Sequence, residues 1–437
     1  MKRYGNLWPS FCCVENAVKA IELGTIYKRT DRIVRRKLCY DADDKKNRLD
    51  PDKVMMYAKD LVARLNEDWS HSPMRKKMVI PDRGKQRSID CPCLADHIVH
   101  WMLILAIKKP LTRGMYAHSY GSIPGRGIDG ARRAIERWVQ HDDKCKYFVK
   151  LDIKKFYPNV DQSRLRAMFR RVIKDKRILH VIDQIIGCIP SGLPIGTYAS
   201  QWFANFYLQG LDHHIVQNMY KVRRGKRLPY VSHYLRYMDD MVLFGNSRRD
   251  LEKAIREIMS YCRVELGVEI KPSWEIRKVA SFARKPDGHR VLIKGAAPVD
   301  IVGYRFYREH TEARGRIYLH TKRLAAKAAK NLRERGAILL THAQAISSLA
   351  GWFVHADSEA FLRSLNQTIN INFTRKVISY AAKNRIVGDA SRIFCRTGKR
   401  DGDYHILYGC AAGRTRKRHC VPGYGMEYAL SLDGASC

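Results

Sequence analysis

The stretch that most constrains this chain is Tyr234-Leu-Arg-Tyr-Met-Asp-Asp-Met-Val-Leu-Phe244, two adjacent carboxylates between two short apolar runs. Pro229–Met238 and Met241–Phe244 are separated by no more than a tight turn, which predicts a hairpin with Asp239 and Asp240 at its tip. Carboxylates so placed repel each other and cannot both be packed cheaply. Upstream, Lys146–Ile153 alternates: Tyr147, Val149, Leu151 and Ile153 share one face, and Phe148, Lys150 and Asp152 the other. That predicts a strand ending in a third carboxylate. Hard cations such as Mg²⁺ prefer carboxylate oxygens and substrate phosphates. Three carboxylates from two neighbouring strands could hold two such ions about 4 Å apart, an arrangement for in-line phosphoryl transfer. Taken alone, Asp-Asp is more simply a polar turn, which Asp favours.

The formal charge of +38, from 81 Lys and Arg against 43 Asp and Glu, points to a polyanionic partner, most often nucleic acid. A hydrophobic fraction of 45% excludes wholesale disorder, and 437 residues suggest two or three domains. The start has no apolar h-region, so it does not read as a signal peptide. The longest apolar stretch, Trp101–Ile107, is far short of the roughly 20 residues a spanning helix needs. Twelve cysteines are too dilute for a disulfide scaffold. The expectation is a cytoplasmic protein with reduced thiols and no membrane contact.

Along the chain, the segment before residue 70 is polar and helix-like. Asp50-Pro51-Asp52 is a helix start, followed by Val54, Ala58, Leu61, Val62 and Leu65 at helical spacing. A turn-rich basic stretch, Arg75–Asp90, precedes an apolar helix over Ala95–Ile107. The Gly-studded loop Tyr120–Gly127 leads into a helix over Asp129–Val139. Gly196–Tyr220 and Asp250–Cys262 read as helices, and Val268–Ile276 as a strand. Residues 310–385 are helical and carry 13 Lys and Arg against 4 Asp and Glu. The tail beyond 386 reads as irregular.

Five segments in order resemble the motifs of reverse transcriptases. Tyr147-Phe-Val-Lys-Leu-Asp152-Ile-Lys-Lys-Phe-Tyr157 looks like the first, Gly192-Leu-Pro-Ile-Gly196-Thr-Tyr-Ala-Ser200-Gln201 the second, and Tyr237-Met-Asp-Asp240 the third. Gly267-Val-Glu-Ile-Lys271 resembles the fourth and Asp300-Ile-Val-Gly303-Tyr304 the fifth, the primer grip. The resemblance implies an α+β right-hand polymerase: an N-terminal helical extension (1–70), fingers (71–145), a palm with an antiparallel sheet (146–310), a basic helical thumb (311–385) and a tail (386–437). It implies an RNA-directed DNA polymerase acting on template RNA, cDNA and dNTP with two Mg²⁺, for which Mn²⁺ could substitute.

By the same resemblance Asp152, Asp239, Asp240 and the backbone carbonyl of Ile153 would hold the metals. Arg87, Tyr157 (the steric gate), Ile195, Gly196, Gln201 and Lys271 would meet the nucleotide. Arg126 and its flanking glycines could approach a template phosphate. Gly303 and Tyr304 would meet the primer, and Lys322, Arg323, Lys327, Lys330 and Arg333 would lie along the duplex backbone.

The second motif narrows the resemblance. Many reverse transcriptases carry Gln before its Gly; this chain has Ile195, with Ser200-Gln201 following. That pattern is similar to the reverse transcriptases of bacterial and phage diversity-generating retroelements, which copy a template-repeat RNA with errors at adenine. A small basic pentameric accessory protein is expected with it. The alternatives are a reverse transcriptase of a retron, a group II intron or an antiphage system, or a non-catalytic RNA-binding scaffold. In the tail, Cys395, Cys410, His419 and Cys420 lack the paired spacing of a zinc site. Cys91-Pro-Cys93 reads as structural, and Arg414–Arg418 as a basic loop.

Overall fold

The computed structural model describes residues 3–29, 31–40, 47–79, 87–284, 290–383, 392–397 and 404–411. They fall into two compact units: Met1–Val302 with Phe306–Glu309, and Gly303–Arg305 with the described residues from His310 onward.

The first unit opens with helices α1 (Trp8–Phe11), α2 (Val14–Thr25), α3 (Arg32–Leu38) and α4 (Pro51–Asn66). Helix α4 starts where the sequence says it should. The Asp50 carboxylate accepts the N–H groups of Asp52 and Lys53, and Val54, Ala58, Leu61 and Leu65 turn into the core. The basic stretch expected to be all turn is instead an antiparallel pair, β1 (Arg75–Val79) and β2 (Arg87–Cys91), in register from Arg75 opposite Cys91 to Val79 opposite Arg87. Gly84, Lys85 and Gln86, and the side chain of Arg87, lie outside the described residues.

Helix α5 (Leu94–Thr112) is buried on nearly every side. The Cys93 sulfur accepts the Asp96 N–H at its start, so that cysteine is indeed structural. Asp96, His97 and His100 are buried on the same helix; Asp96 accepts the Ser72 N–H and His100 meets His71 at 3.1 Å. The His97 Nε2 meets the Gly24 carbonyl at 2.9 Å, and burial pulls its pKa down to about 4. A histidine depressed in the folded state contributes stability that is present above its unfolded pKa and lost as pH falls toward the folded one. The His97 contribution is therefore expected to be lost as pH falls from about 6.5 to 4, by up to about 3 kcal/mol. Thermal melts of His97→Gln, which keeps an N–H donor, should be flatter over that window. Equal acid sensitivity of the two proteins would refute the assignment.

Next come β3 (Ser119–Tyr120), α6 (Ile128–His141), β4 (Tyr147–Asp152), α7 (Phe156–Asn159), α8 (Gln162–Val172) and α9 (Lys176–Gly187). The helix expected over Gly196–Tyr220 is α10 (Tyr198–Tyr207) and α11 (Gln209–His213), ending in a wide π turn at His214–Asn218. A ribbon, β5 (Tyr220–Arg223) and β6 (Lys226–Pro229), precedes the expected hairpin, β7 (His233–Tyr237) and β8 (Asp240–Gly245). The run Pro229–Met238 is thus split. Helix α12 (Arg248–Val264), β9 (Arg277–Val279), β10 (Phe282–Arg284), β11 (Arg290–Leu292) and β12 (Ala296–Ala297) follow.

Six strands form one sheet in the order β12-β9-β4-β8-β7-β3. Its centre, β9-β4-β8-β7, is antiparallel as expected. The edges are not: β3 runs parallel to β7 and β12 parallel to β9, so the sheet is mixed. Both edge strands arrive by long connections, which parallel pairing requires. Val149, Leu151 and Ile153 of β4 face the core shared with Phe169, Phe203 and Phe206. The expected strand over Val268–Ile276 shrinks to one antiparallel pairing of Ile270 with Ile153. Pro272 has no N–H for a ladder, and pairing resumes only at β9.

The second unit packs α13 (Gly315–Arg335), α14 (Leu340–Phe353), α15 (Glu359–Thr368) and α16 (Ile371–Lys383) around Ala325, Ala328, Leu332, Ile346 and Val377. The tail is more regular than expected: Arg392–Thr397 pairs with both Ala337–Leu339 and Tyr404–Ala411. Cys395 stands opposite Ile406 and Cys410 opposite Ile393, so the two are not cross-strand partners. Arg414–Arg418, His419 and Cys420 lie outside the described residues. Among the described residues no helix is long and apolar enough to cross a membrane.

Candidate active site

The three carboxylates meet because two ladders fix their register. Pairing of β4 with β8 puts Asp152 directly opposite Asp240, and pairing of β7 with β8 puts Tyr237 opposite Asp240. Met238 and Asp239 form the turn between them. Asp239 is partly buried, and its carboxyl is pushed up to about 6, first by desolvation and then by the charges of Asp240 and Asp152. The Lys271 side chain remains partly exposed while its ammonium pairs with the Asp152 carboxylate.

The Ile153 carbonyl is placed by the neighbouring segment. Lys271 N–H donates to the Asp152 carbonyl and Lys154 N–H to that of Glu269. Successive carbonyls of a strand point to opposite edges. That of Ile153 is therefore left to the β8 edge, beside the carboxylates. Among the described residues no three His, Cys, Asp or Glu side chains stand close enough to cage a metal ion unaided. A set of hard oxygens that leaves coordination open suits Mg²⁺, which keeps waters and takes substrate phosphates. Burial first, and then the charges of Asp240 and Asp152, raise Asp239, and a bound cation would offset both.

Tyr157 lies at this centre: burial and the Asp239 charge both push its hydroxyl up. Its carbonyl accepts the Leu193 N–H at 2.8 Å, and a Cβ on Gly192 would come within 2.4 Å of that same oxygen. The loop Gly192–Gly196 is thus seated on the backbone of the Tyr157 turn. Its other side is clasped by β2: the Ile195 N–H donates to the Asp90 carboxylate at 2.9 Å, and the Asp90 N–H to the Ile195 carbonyl at 2.8 Å. Gly196 has φ +100° and a Cβ there would strike Ile89 at 2.3 Å, so no other residue fits. Thr197 caps α10 through the Ser200 N–H and hydroxyl, which fixes Gln201 in its first turn. Asp90 was not legible in the sequence as a site residue.

A buried network also went unforeseen. Arg236, fully buried, makes a two-pronged ion pair with the equally buried Asp212, at 2.8 and 2.6 Å. Its remaining nitrogen donates to the Asn205 amide oxygen and to the Met238 carbonyl, both at 2.9 Å. Met238 has φ +58°, costly for a residue with a long side chain. Its N–H donates to the Tyr120 carbonyl, so β3 and Arg236 hold the turn from both sides. The sequence did carry a signal: one Arg inside an apolar strand, and one Asp inside the apolar stripe of α11.

The Arg126 guanidinium donates to the Tyr116 carbonyl at 2.7 Å, while Gly125 and Gly127 beside it are exposed. One expectation needs correction. Tyr304 is buried with its ring 5.3 Å from that of Trp352, so it packs and presents no surface to a primer. Gly303 has φ +92°, and a Cβ would meet the Trp352 ring at 2.3 Å. On α13, Lys322, Arg323, Lys327, Lys330 and Arg333 are exposed opposite the buried Ala325, Ala328 and Leu332; Lys330 leans toward Glu334 at 3.7 Å.

Known proteins match the part of the chain that holds this geometry. Residues 74–279 match the family described as Reverse transcriptase (RNA-dependent DNA polymerase). The retron Ec73 reverse transcriptase of Escherichia coli is 24% identical over 234 residues, covering 52% of this chain and 69% of that protein. Protein YkfC of Escherichia coli strain K12 is 22% identical, covering 44% and 59%. The group II intron-encoded protein LtrA of Lactococcus lactis subsp. cremoris is 22% identical, covering 51% and 39%. The chain thus spans little more than a third to about two thirds of these relatives. The register-locked carboxylates and the seated Gly192–Gly196 loop both lie inside the stretch, residues 74–279, that is similar to reverse transcriptases.

Proposed function

We propose that the whole chain is an RNA-directed DNA polymerase that makes cDNA on an RNA template by two-metal nucleotidyl transfer. The observation that carries this reading is the register that sets Asp152 against Asp240 with Asp239 at the adjoining turn. Asp152, Asp239, Asp240 and the Ile153 carbonyl would hold Mg²⁺, which when bound would activate the primer hydroxyl and neutralise triphosphate charge. Tyr157 walls the sugar side of the pocket, and Lys271 stands where it can reach the pyrophosphate side. The helical second unit is the thumb, and exposed cations along α13 hold the duplex backbone without reading sequence. Metal-dependent dNTP incorporation on a primed RNA, absent in Asp239→Asn, tests the reading. No incorporation by the unaltered chain, with or without an accessory protein, would overturn it.

The finer reading is a polymerase of a diversity-generating retroelement, error-prone at adenine and served by a small basic pentameric accessory protein. Ile195 supports it. Its backbone is held on both sides by Asp90, so the side chain is the variable feature of that pocket wall. A branched aliphatic neither donates nor accepts near the nascent pair, and apolar contact alone separates analogues poorly. Ile195→Gln is expected to lower misincorporation opposite template adenine by roughly tenfold, the order of one added polar contact. Base-resolved cDNA sequencing reads this, and an error spectrum equal over all four template bases in the unaltered chain would remove the proposal. The retron relative favours a second reading, reverse transcription without adenine bias, and the same spectrum decides between them.

A further inference from the structure

The ribbon β5–β6 plays no part in the catalytic centre. Its ten residues, Tyr220-Lys-Val-Arg-Arg-Gly-Lys-Arg-Leu-Pro229, contain five cations and no carboxylate. Residues 222–229 are all exposed. The base is tied down: Lys221 pairs with Asp250 at the start of α12, the Arg227 guanidinium lies 4.6 Å over the Tyr220 ring, and the Tyr230 N–H donates to the Met219 carbonyl. Arg223, Arg224 and Lys226, at the tip, have no carboxylate partner among the described residues, and neither does Arg227.

Two features of the tip are unfavourable by themselves. Arg223 and Lys226 are directly opposed across the ladder, and like charges so placed repel. Arg224 sits at φ +50°, a region in which a side chain is strained, although Gly225 beside it (φ +70°) is not. Pairing alternates the faces: Lys221, Arg223, Lys226 and Leu228 share one, and Tyr220, Val222, Arg227 and Pro229 the other. The ribbon is held rigid at its base and concentrates repelling cations at its end. A polyanion laid across the tip removes both the repulsion and the reason to avoid it.

We propose that this ribbon is a second nucleic-acid contact, gripping the phosphodiester backbone of RNA outside the catalytic centre. Its base leads through residues 230–232 into β7, whose five residues span roughly 17 Å before the Asp239 turn. On the polymerase reading, an RNA strand held outside the catalytic centre is template. The proposal rests on the polymerase reading for the identity of the strand as template, and on charge and geometry for the contact itself.

Binding of a fluorescein-labelled stem-loop RNA to the full chain, by anisotropy across a salt series without metal or dNTP, tests it. The variant Arg223→Gln/Arg224→Gln/Lys226→Gln/Arg227→Gln is expected to bind at least about tenfold more weakly near 0.1 M salt, with a salt slope shallower by about 2 to 3. Restoring charge with Lys at the three Arg positions should restore binding. A chain that loses four exposed cations of α3 instead (Arg32, Arg35, Arg36 and Lys37, each to Gln) should bind almost as the unaltered chain does. Equal losses in the α3 and ribbon variants, or no loss in the ribbon variant, would overturn the proposal. The DNA of the same sequence serves as competitor; preferential capture of DNA would also overturn it. Primer extension remains a separate test of the polymerase reading, because no catalysis enters this measurement.

Discussion

Asp239→Asn is expected to cut metal-dependent primer extension at least about 10³-fold, since losing a metal ligand forfeits several kcal/mol of transition-state stabilisation. The substitution keeps size and shape, so the hairpin should persist. Its effect on stability runs the other way. In the metal-free chain the Asp239 carboxyl is raised to about 6 by burial, Asp240 and Asp152. A carboxyl raised in the folded state contributes stability below its unfolded pKa that is lost as pH rises through the folded one. The Asp239 contribution to the stability of the metal-free chain should therefore fall away from about pH 4 to pH 6, opposite in sign to that of His97, and Asp239→Asn should lack this fall. Adding Mg²⁺ at neutral pH should raise the melting temperature of the unaltered chain and not of the variant. Retained extension, or an equal Mg²⁺ shift in both proteins, would dissolve the assignment of Asp239 to the metal.

Arg236→Met is expected to cost about 3–5 kcal/mol of stability, the range for breaking a buried ion pair from one side. The loss arises less from the missing attraction than from Asp212, left charged and dry beside the Tyr234 hydroxyl that donates to it. Removing both partners, as Arg236→Met/Asp212→Leu, should recover much of the stability, because no buried charge is then stranded. Activity should not recover with it. The Met238 carbonyl loses its donor in both variants, and the turn carrying Asp239 then keeps the weaker Asn205 contact to the Met238 sulfur and the Met238 N–H bond to the Tyr120 carbonyl. Denaturant melts beside primer extension separate the two effects. A double variant restored in both stability and rate would show that Arg236 braces the strand without positioning the turn.

The strands carrying Asp152, Asp239 and Asp240 were legible because their signals are local. Strand alternation over Tyr147–Asp152 and an apolar hairpin around Asp239-Asp240 are patterns of period two, each readable without knowing its partner, although the ladder that joins them spans nearly ninety positions. Helix α4 was legible because Asp50 and Pro51 mark its start. What stayed hidden depends on residues far apart in sequence. Asp90 reaches Ile195 across 105 positions, and Arg236 reaches Asp212 across 24. Neither spacing is a period of any element. Strand Val268–Ile276 failed because Pro272 cannot join a ladder, a local fact outweighed by the apolar alternation around it. The tail strands were missed because the Gly residues between them read as irregular, and their partner, Ala337–Leu339, lies more than fifty residues upstream.

The clasp between Asp90 and Ile195 has a consequence for how such a polymerase drifts over generations. β2 carries Arg87 at one end and Asp90 near the other, so on the polymerase reading the strand that would cover the nucleotide and the Ile195 loop beside it are mechanically one part. A change on the exposed face of that ribbon can therefore shift the pocket wall without touching it. On the proposed polymerase reading, copying accuracy would be open to selection at surface positions, where substitutions are tolerated, and need not wait for rare changes in the pocket itself.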